Sequence, residues 1–427
     1  GIYMVEDADT AGSGPSFTGD GVSGVFLQDA QVEQGLAATS VITTGGGTVQ
    51  AGILENTPRL DYSGGATCPS LLLEPSRTNL MVQSEGFSTI SWTENKTNTN
   101  VTANAAVSPE GLQNAAKIEF TGASSIYDQF VNVASSINIG TIFLKNNNID
   151  KVEFELTGSI PDINAEVTID LRDGTLSFPI GSYTPTIEDY GNGWWRVAIG
   201  DTSNASVATP AFRIKSVGSN TGSFYAYGAQ LEAGSYATSY IPTYGTSQTR
   251  AGEICNSTED ATTINSTEGV LYFEVSGFDN DGSDRYISIS DGTLNNAIRV
   301  FYYQDGGTTF FRKNVNGAQT TIVTTSAINK SELTKIAVKY NSTNFDIFSN
   351  GVKISTNLDS NSFPISTLNE INFSNADGIN QPFYGKTKQL IYFPTALSDL
   401  QLAILTGATT YETFDEMALA LNYTVYE

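Results

Sequence analysis

Short runs that alternate apolar and polar residues recur along most of the chain, among them AAKIEFTG, IYDQFVNV, KVEFELTG, EVTIDLRDG, NGWWRVAIG, AFRIKSVG and FYAYGAQLE. A period of two puts every second side chain on one face, so each run reads as a half-buried β-strand. Asp-Gly and Asn-Gly dipeptides separate several of them, and the runs follow one another about every ten to fifteen residues, which predicts antiparallel hairpins stacked as a jelly-roll sandwich. GVLYFEVSGF, RYISISDG, AIRVFYYQDG, TTFFRKNVNG and LTKIAVKYNSTNFDIFSNGVKIST repeat the pattern downstream and predict a second sandwich. Helix signals come only at the end, where Ser398 with Gln401 and Thr413 with Glu416 form two capping boxes. The expected fold class is all-β: two consecutive antiparallel β-sandwiches (jelly rolls) with short C-terminal helices.

A repeat divides the chain. Residues 30–46 (AQVEQGLAATSVITTGG) align without a gap on residues 229–245, with ten of seventeen positions identical. Each copy runs from a strand into Gly, Ser, Thr and Pro, the pattern of a last strand followed by an exit segment. The expected organisation is 1–44 as the tail of a preceding module or an attachment segment, 45–67 as a linker and 68–250 as the first sandwich. Residues 251–266 are then a polar linker, and 267–427 the second sandwich with its helices. The opening GIYMVEDADTAGSG lacks the basic and apolar regions of a signal peptide, so a start at Gly1 reads as a trimmed N-terminus.

Charge narrows the partners. Against 45 Asp and Glu stand 21 Lys and Arg, a net charge of −24. A field of that sign repels phosphate backbones and anionic lipid, and no basic cluster offsets it, so nucleic acid is not an expected partner. No apolar run is long enough to span a bilayer. Histidine is absent from the chain, which excludes Ser-His-Asp and Cys-His catalysis and His-ligated zinc. Glu153 and Glu155 leave one face of one strand about 7 Å apart, a spacing open to a glycosidase pair or to a solvated surface. No catalytic residue is assigned. Cys68 and Cys255 bracket the first sandwich, either as a disulfide or as two free thiols.

Sandwiches hold sugars by stacking flat aromatic rings on pyranose faces. Trp194 and Trp195 are adjacent on one strand, so one faces the core and the other is covered by a loop or forms a stacking platform; Tyr302 and Tyr303 pose the same question. These four are the carbohydrate-binding candidates. Trp92 reads as an anchor of the first sandwich, and Arg59 and Arg77, beside Asp61 and Glu74, as ion pairs that pin the linker. In DNDGSD, Asp279, Asp281 and Asp284 surround a turn that either holds Ca²⁺ or is an acidic hairpin tip. No other cofactor is expected.

NTPRLDYSGGATCPSLLLEPSRTNLMVQSE with Trp92, YGNGWWRV and YAYGAQLEAGSYATSYIPTYGTSQTRAGE together resemble a recurrent module of tailed-phage tail-fibre, spike and head-fibre proteins, over about residues 50–252. LTKIAVKYNSTNFDIFSNGVKIST and YGKTKQLIYFPTALSDLQLAIL resemble the laminin-G-like, concanavalin-type sandwich, with Leu333 where an aromatic usually opens the strand. The resemblance implies a virion structural protein on a tail or capsid surface that binds host cell-surface polysaccharide without catalysis. Its implied partners are that polysaccharide, other virion proteins and further copies of itself, as in a trimer. Two alternatives stand beside it: an architectural decoration that touches only virion neighbours, and a polysaccharide depolymerase.

Overall fold

The structure is a computed structural model that describes residue 31 and residues 57–63, 67–93, 96–131, 137–157, 164–181, 183–201, 211–278, 282–302, 308–326, 328–329, 332–407 and 413–420. The chain divides into two compact units, Gly1–Leu54 and Glu55–Glu427. Apart from Gln31, the upstream repeat copy and the segment 1–44 lie outside the described residues. All that follows concerns the second unit.

Two six-stranded sheets face each other in the first sandwich. One runs in spatial order Thr175–Ile180, Asn164–Asp170, Lys151–Thr157, Ala211–Ser216, Ile126–Phe130 and Lys96–Thr97. The other runs Thr186–Asp189, Trp194–Asp201, Asn138–Asn146, Gly222–Ala233, Ala115–Phe120 and Thr99–Ala106. Their strand pairs are antiparallel. The alternation read in KVEFELT is kept: Val152, Phe154 and Leu156 enter the core with Ile142, Leu144, Ile214 and Phe224, while Glu153 and Glu155 stay outside. Trp92 is a core anchor as expected, fully buried and stacked on Tyr127 at 5.4 Å.

The second sandwich pairs a seven-stranded with a five-stranded sheet. The larger runs Leu60–Asp61, Ser70–Leu73, Gly385–Phe393, Gly269–Gly277, Thr334–Tyr340, Asn344–Ser349 and Val352–Leu358; the smaller runs Ala318–Thr325, Thr309–Val315, Ala297–Tyr302, Arg285–Ser290 and Glu370–Asn372. Every residue of Gly269–Gly277 is buried, because the core covers one face and the helix Asp399–Leu405 covers the other through Leu402 and Leu405 on Val270 and Tyr272. Ser398 caps that helix in a complete capping box with Gln401, as the sequence predicts. At Thr413 the hydroxyl accepts from the Glu416 amide ahead of the helix Phe414–Ala420.

One connection departs from the sequence reading. The stretch from Cys68 reads as the opening of the first sandwich, yet Ser70–Leu73 pairs with Gly385–Phe393 in the second, Leu71 opposite Thr387. Its consecutive leucines suit that sheet: Leu73 joins the second core and Leu71 packs against it. The first sandwich is therefore inserted into the second between Leu73 and Gly269. A neck of two short strands, Arg77–Asn79 against Gln248–Arg250, closes the insertion.

Polar side chains hold that neck. The Arg59 guanidinium reaches both Glu74 (2.7 Å) and Glu253 (2.5 Å), and Arg250 meets Glu74 at 3.0 Å. The ion pairs read from the sequence exchange partners: Arg59 turns to Glu74 and Glu253 instead of Asp61, Arg77 to Glu232 instead of Glu74, and Asp61 to Lys386. The downstream copy of the repeat is held by a buried clamp. Glu232 accepts from the Thr238 amide and hydroxyl, and Gln230 accepts from the Ile241 amide, so a segment without regular structure has its backbone satisfied by side chains. Gln31, Glu33 and Thr39 stand at the same spacing upstream. Cys68 and Cys255 are free thiols, not a disulfide.

At the end of the strand Asn164–Asp170, the Arg172 side chain donates to both Asp170 oxygens, at 3.0 and 2.7 Å, and holds that carboxyl down to about 2. A folded value below the ordinary 3.8 means that the unfolded chain takes the proton first, so this stabilisation is present above about pH 4 and is lost as pH falls toward 2. The melting temperature should therefore exceed that of Asp170→Asn at pH 5, with the gap closing between pH 4 and pH 2. A gap that stays constant across that range would rule the linkage out.

Candidate functional site

The outer face of the five-stranded sheet carries two ordered rows. Tyr286, Phe301 and Phe310 lie directly across from one another on three adjacent strands, and so do Ser288, Arg299 and Arg312 one step along. The sheet pleat makes this possible: Ile287, Ile289, Ile298, Val300, Phe311 and Val323, at the alternate positions, fill the core. The aromatic row is stacked, with Tyr286 and Phe301 centroids 4.4 Å apart and Phe301 and Phe310 4.7 Å apart. The Arg312 guanidinium lies over Phe301 at 4.8 Å and Phe310 at 5.5 Å, a cation–π contact across the two rows.

Part of this face is roofed. In the segment 374–382, the Ser374 and Ala376 carbonyls accept from the Ser288 and Ser290 hydroxyls, and Asn375 Oδ1 meets Arg299 at 3.5 Å. Arg299 also donates to Asn314 Oδ1 at 3.0 Å. The roof leaves Arg299 7 % exposed, while Phe310, Arg312 and Asn314 are half-buried and Ile322 and Thr324 are exposed beside them. Burial lowers the Arg299 pKa from its ordinary value, and the Arg312 charge opposite lowers it further. The Nε atoms of both arginines are buried without a hydrogen-bond partner, and neither guanidinium has a carboxylate partner among the described residues.

The aromatic residues singled out in the sequence lie elsewhere. Trp194 is 2 % exposed and Tyr302 4 %, so neither offers a ring to a sugar. Trp194 packs on Phe143 and Tyr227 in a small second core on the outside of its sheet, donating to the Val107 carbonyl. Trp195 faces the other way, donates to the Leu171 carbonyl, and is lidded by Gly174, where a Cβ would come within 2.7 Å of the indole. Trp194, on the outer face, is thus covered, while Trp195 is half-buried beneath Gly174. Tyr302 joins the second core near Phe383. Tyr303, Asp279 and Asp281 lie outside the described residues; Asp284 accepts from Gln381 Nε2 at 3.4 Å. Glu153 and Glu155 do not form a freely solvated pair: Lys215 and Arg213 ion-pair with them in a network that also includes Asp128 and Glu166.

The sequence reading missed Phe301, Phe310, Arg299 and Arg312, although the signal was there. Arg-x-Phe in one strand is mirrored by Phe-x-Arg in the next, across a hairpin already predicted, and antiparallel pairing brings like residues opposite each other.

Two open spaces lie where the sandwiches meet. A cavity of about 280 Å³ is lined by Arg196, Tyr236, Phe278 and Lys386 among others, and its cations are occupied: Arg196 by Thr141 and the Thr238 carbonyl, Lys386 by Asp61. Tyr236 stacks on Phe278 at 4.9 Å and closes the seam. Next to it, a groove of about 930 Å³ is bordered by Asp61, Tyr62, Glu188, Asp189 and Tyr190, with the tyrosines 55 % and 45 % exposed.

Residues 271–403 match Laminin_G_3, the concanavalin A-like lectin/glucanases superfamily. The laminin-G-like sandwich therefore holds the two rows, from Tyr286 to Arg312, entirely within the matched residues. No curated protein matches the chain. Among solved structures, the chain is similar to the CBM40 of the Ruminococcus gnavus IT-sialidase bound to alpha2,3 sialyllactose, with 19 % identity over 36 % of this chain and 95 % of that one and a TM-score of 0.31. It is also similar to the heptameric SAP-like pentraxin of Limulus polyphemus, with 14 % identity over 36 % and 74 % and a TM-score of 0.30. The galectin LEC-6 of Caenorhabditis elegans is similar at 12 % identity over 33 % and 89 %, with a TM-score of 0.24.

Proposed function

We propose that this chain is a glycan-binding protein that holds saccharide on the outer face of its laminin-G-like sandwich and does not cleave it. The observation that carries the reading is the open edge of this face, where half-buried Phe310 and Arg312 stand beside exposed Ile322, backed by the stacked Tyr286 and Phe301, which are themselves only 5 % and 2 % exposed. Apolar side chains at an open edge, flanked by hydrogen-bond donors, are what a pyranose ring packs against. The lectin-like family match over the same residues supports it. Non-catalytic binding is supported by the absence of histidine and by the engagement of Glu153 and Glu155 in ion pairs with Lys215 and Arg213.

The resemblance of residues 50–252 to phage fibre modules supplies the setting: a subunit on a virion tail or capsid, repeated in an oligomer such as a trimer, bound to host cell-surface polysaccharide. Several weak sites on one assembly gain avidity through effective concentration. Adding the full chain to a glycan array should give binding to a defined saccharide class, and incubating it with host capsule should release no new reducing ends. Reducing ends that rise in proportion to protein would make it a depolymerase. An array without signal, with phage adsorption unchanged after deletion of residues 267–427, would make it an architectural subunit.

A further inference from the structure

Cations in this acidic chain are mostly spoken for. The guanidinium groups of Arg59, Arg77, Arg172, Arg213 and Arg250 each lie within 4 Å of a carboxylate. Arg299 and Arg312 have no carboxylate within that distance among the described residues, and unlike Arg196, which is bonded to Thr141 and the Thr238 carbonyl, they face each other. They stand directly opposite across two strands, where like charges repel, and Arg299 has lost most of its water. Nothing in packing requires this arrangement, since an apolar or neutral residue fits a half-covered strand position at lower cost. A site that departs from local electrostatic sense in this way is where a ligand charge belongs.

We infer that the Arg299–Arg312 pair is an anion subsite, and that the saccharide held on this face is an acidic one, bearing a carboxylate or a sulfate ester. The inference rests on the glycan reading above and adds the chemical class. Arg312 meets the anion directly from its place over Phe301 and Phe310, which fixes the planar guanidinium and leaves its N–H donors for a bidentate contact. Arg299, tethered by Asn314 and Asn375, is a positioning residue that adds charge from beneath. The sugar ring then rests on half-buried Phe310 and exposed Ile322 at the open edge of the face. In a molecule of net charge −24, such a subsite gives selectivity that the overall field would oppose, so affinity has to come from short-range contacts.

Calorimetric titration of the full chain tests this with matched probes: oligogalacturonate against its methyl ester, and dextran sulfate against dextran. The expected result is binding of at least one acidic member, at least tenfold weaker binding of its neutral counterpart, and a tenfold or greater loss in Arg312→Gln. The carboxylate and sulfate arms tell the two anions apart. Arg312→Lys, which keeps the charge but not the fork, should recover part of the affinity. Arg299→Met should weaken binding at least tenfold while raising the melting temperature, because it relieves the repulsion; this separates lost binding from lost folding. Equal binding of acidic and neutral members overturns the anion subsite and leaves the glycan reading standing, with the Tyr62–Tyr190 groove as the place to look. Acidic binding that both arginine variants retain overturns the subsite as well. Silence in all four arms overturns the subsite, and silence across a neutral glycan panel in addition overturns the glycan reading.

Discussion

Trp92→Ala is expected to remove about 3–5 kcal/mol of stability, the range for deleting a fully buried aromatic. The indole touches Phe87 at 4.8 Å, Tyr127 at 5.4 Å and Phe212 at 6.0 Å between centroids, and its N–H donates to the Gln83 carbonyl at 2.7 Å. Alanine leaves a cavity ringed by aromatic faces and removes the shorter of two hydrogen bonds to the Gln83 carbonyl, which keeps only Gln129 Nε2 at 3.3 Å. Trp92→Phe should retain more than half of the lost stability, since it restores ring contact without the donor. Urea unfolding followed by circular dichroism reads both values; a loss under 1 kcal/mol for the alanine variant would mean that the surrounding strands collapse into the gap.

Glu74→Ala is the second large effect, at about 3 kcal/mol, because it strips a buried acid from between two arginines. Glu74 is 3 % exposed and meets Arg59 and Arg250, while its other oxygen accepts from the Ser239 amide. Removing it leaves two guanidiniums facing each other with only Glu253 between them. A double variant with Arg250→Met should recover part of the loss, because the unpaired charge goes with the arginine. If the double variant is less stable than the single one by the full cost of Arg250→Met alone, the two residues act independently and the cluster is not cooperative.

Strands were legible because a period of two survives any change of neighbour. Val152, Phe154 and Leu156 point inward as the alternation requires, and the capping box at Ser398 is where its residues put it. What sits across from a strand is a different matter. Ser70–Leu73 carries no mark in its own residues of pairing with a strand more than three hundred positions downstream, so its sheet could not be read locally. The same limit applied to the site. Adjacency said that one of Trp194 and Trp195 must face outward, which holds, but not that the exit segments cover the outer face. At Tyr302 the parity of the strand decided the outcome: Val300 and Tyr302 fill the core, and Arg299 and Phe301 take the surface. Parity is fixed by the apolar residue at the strand's other end, Ile298, and that residue was available to be read.

The inserted connection has a mechanical side. Tension that enters along residues 57–59 first loads the Arg59 ion pairs and the short hairpin of Leu60–Asp61 with Ser70–Leu71, and then the shear-resisting ladder between Ser70–Leu73 and Gly385–Phe393. The inserted sandwich hangs off that load path at its neck and is shielded from the pull, which the seven-stranded sheet of the second sandwich takes instead.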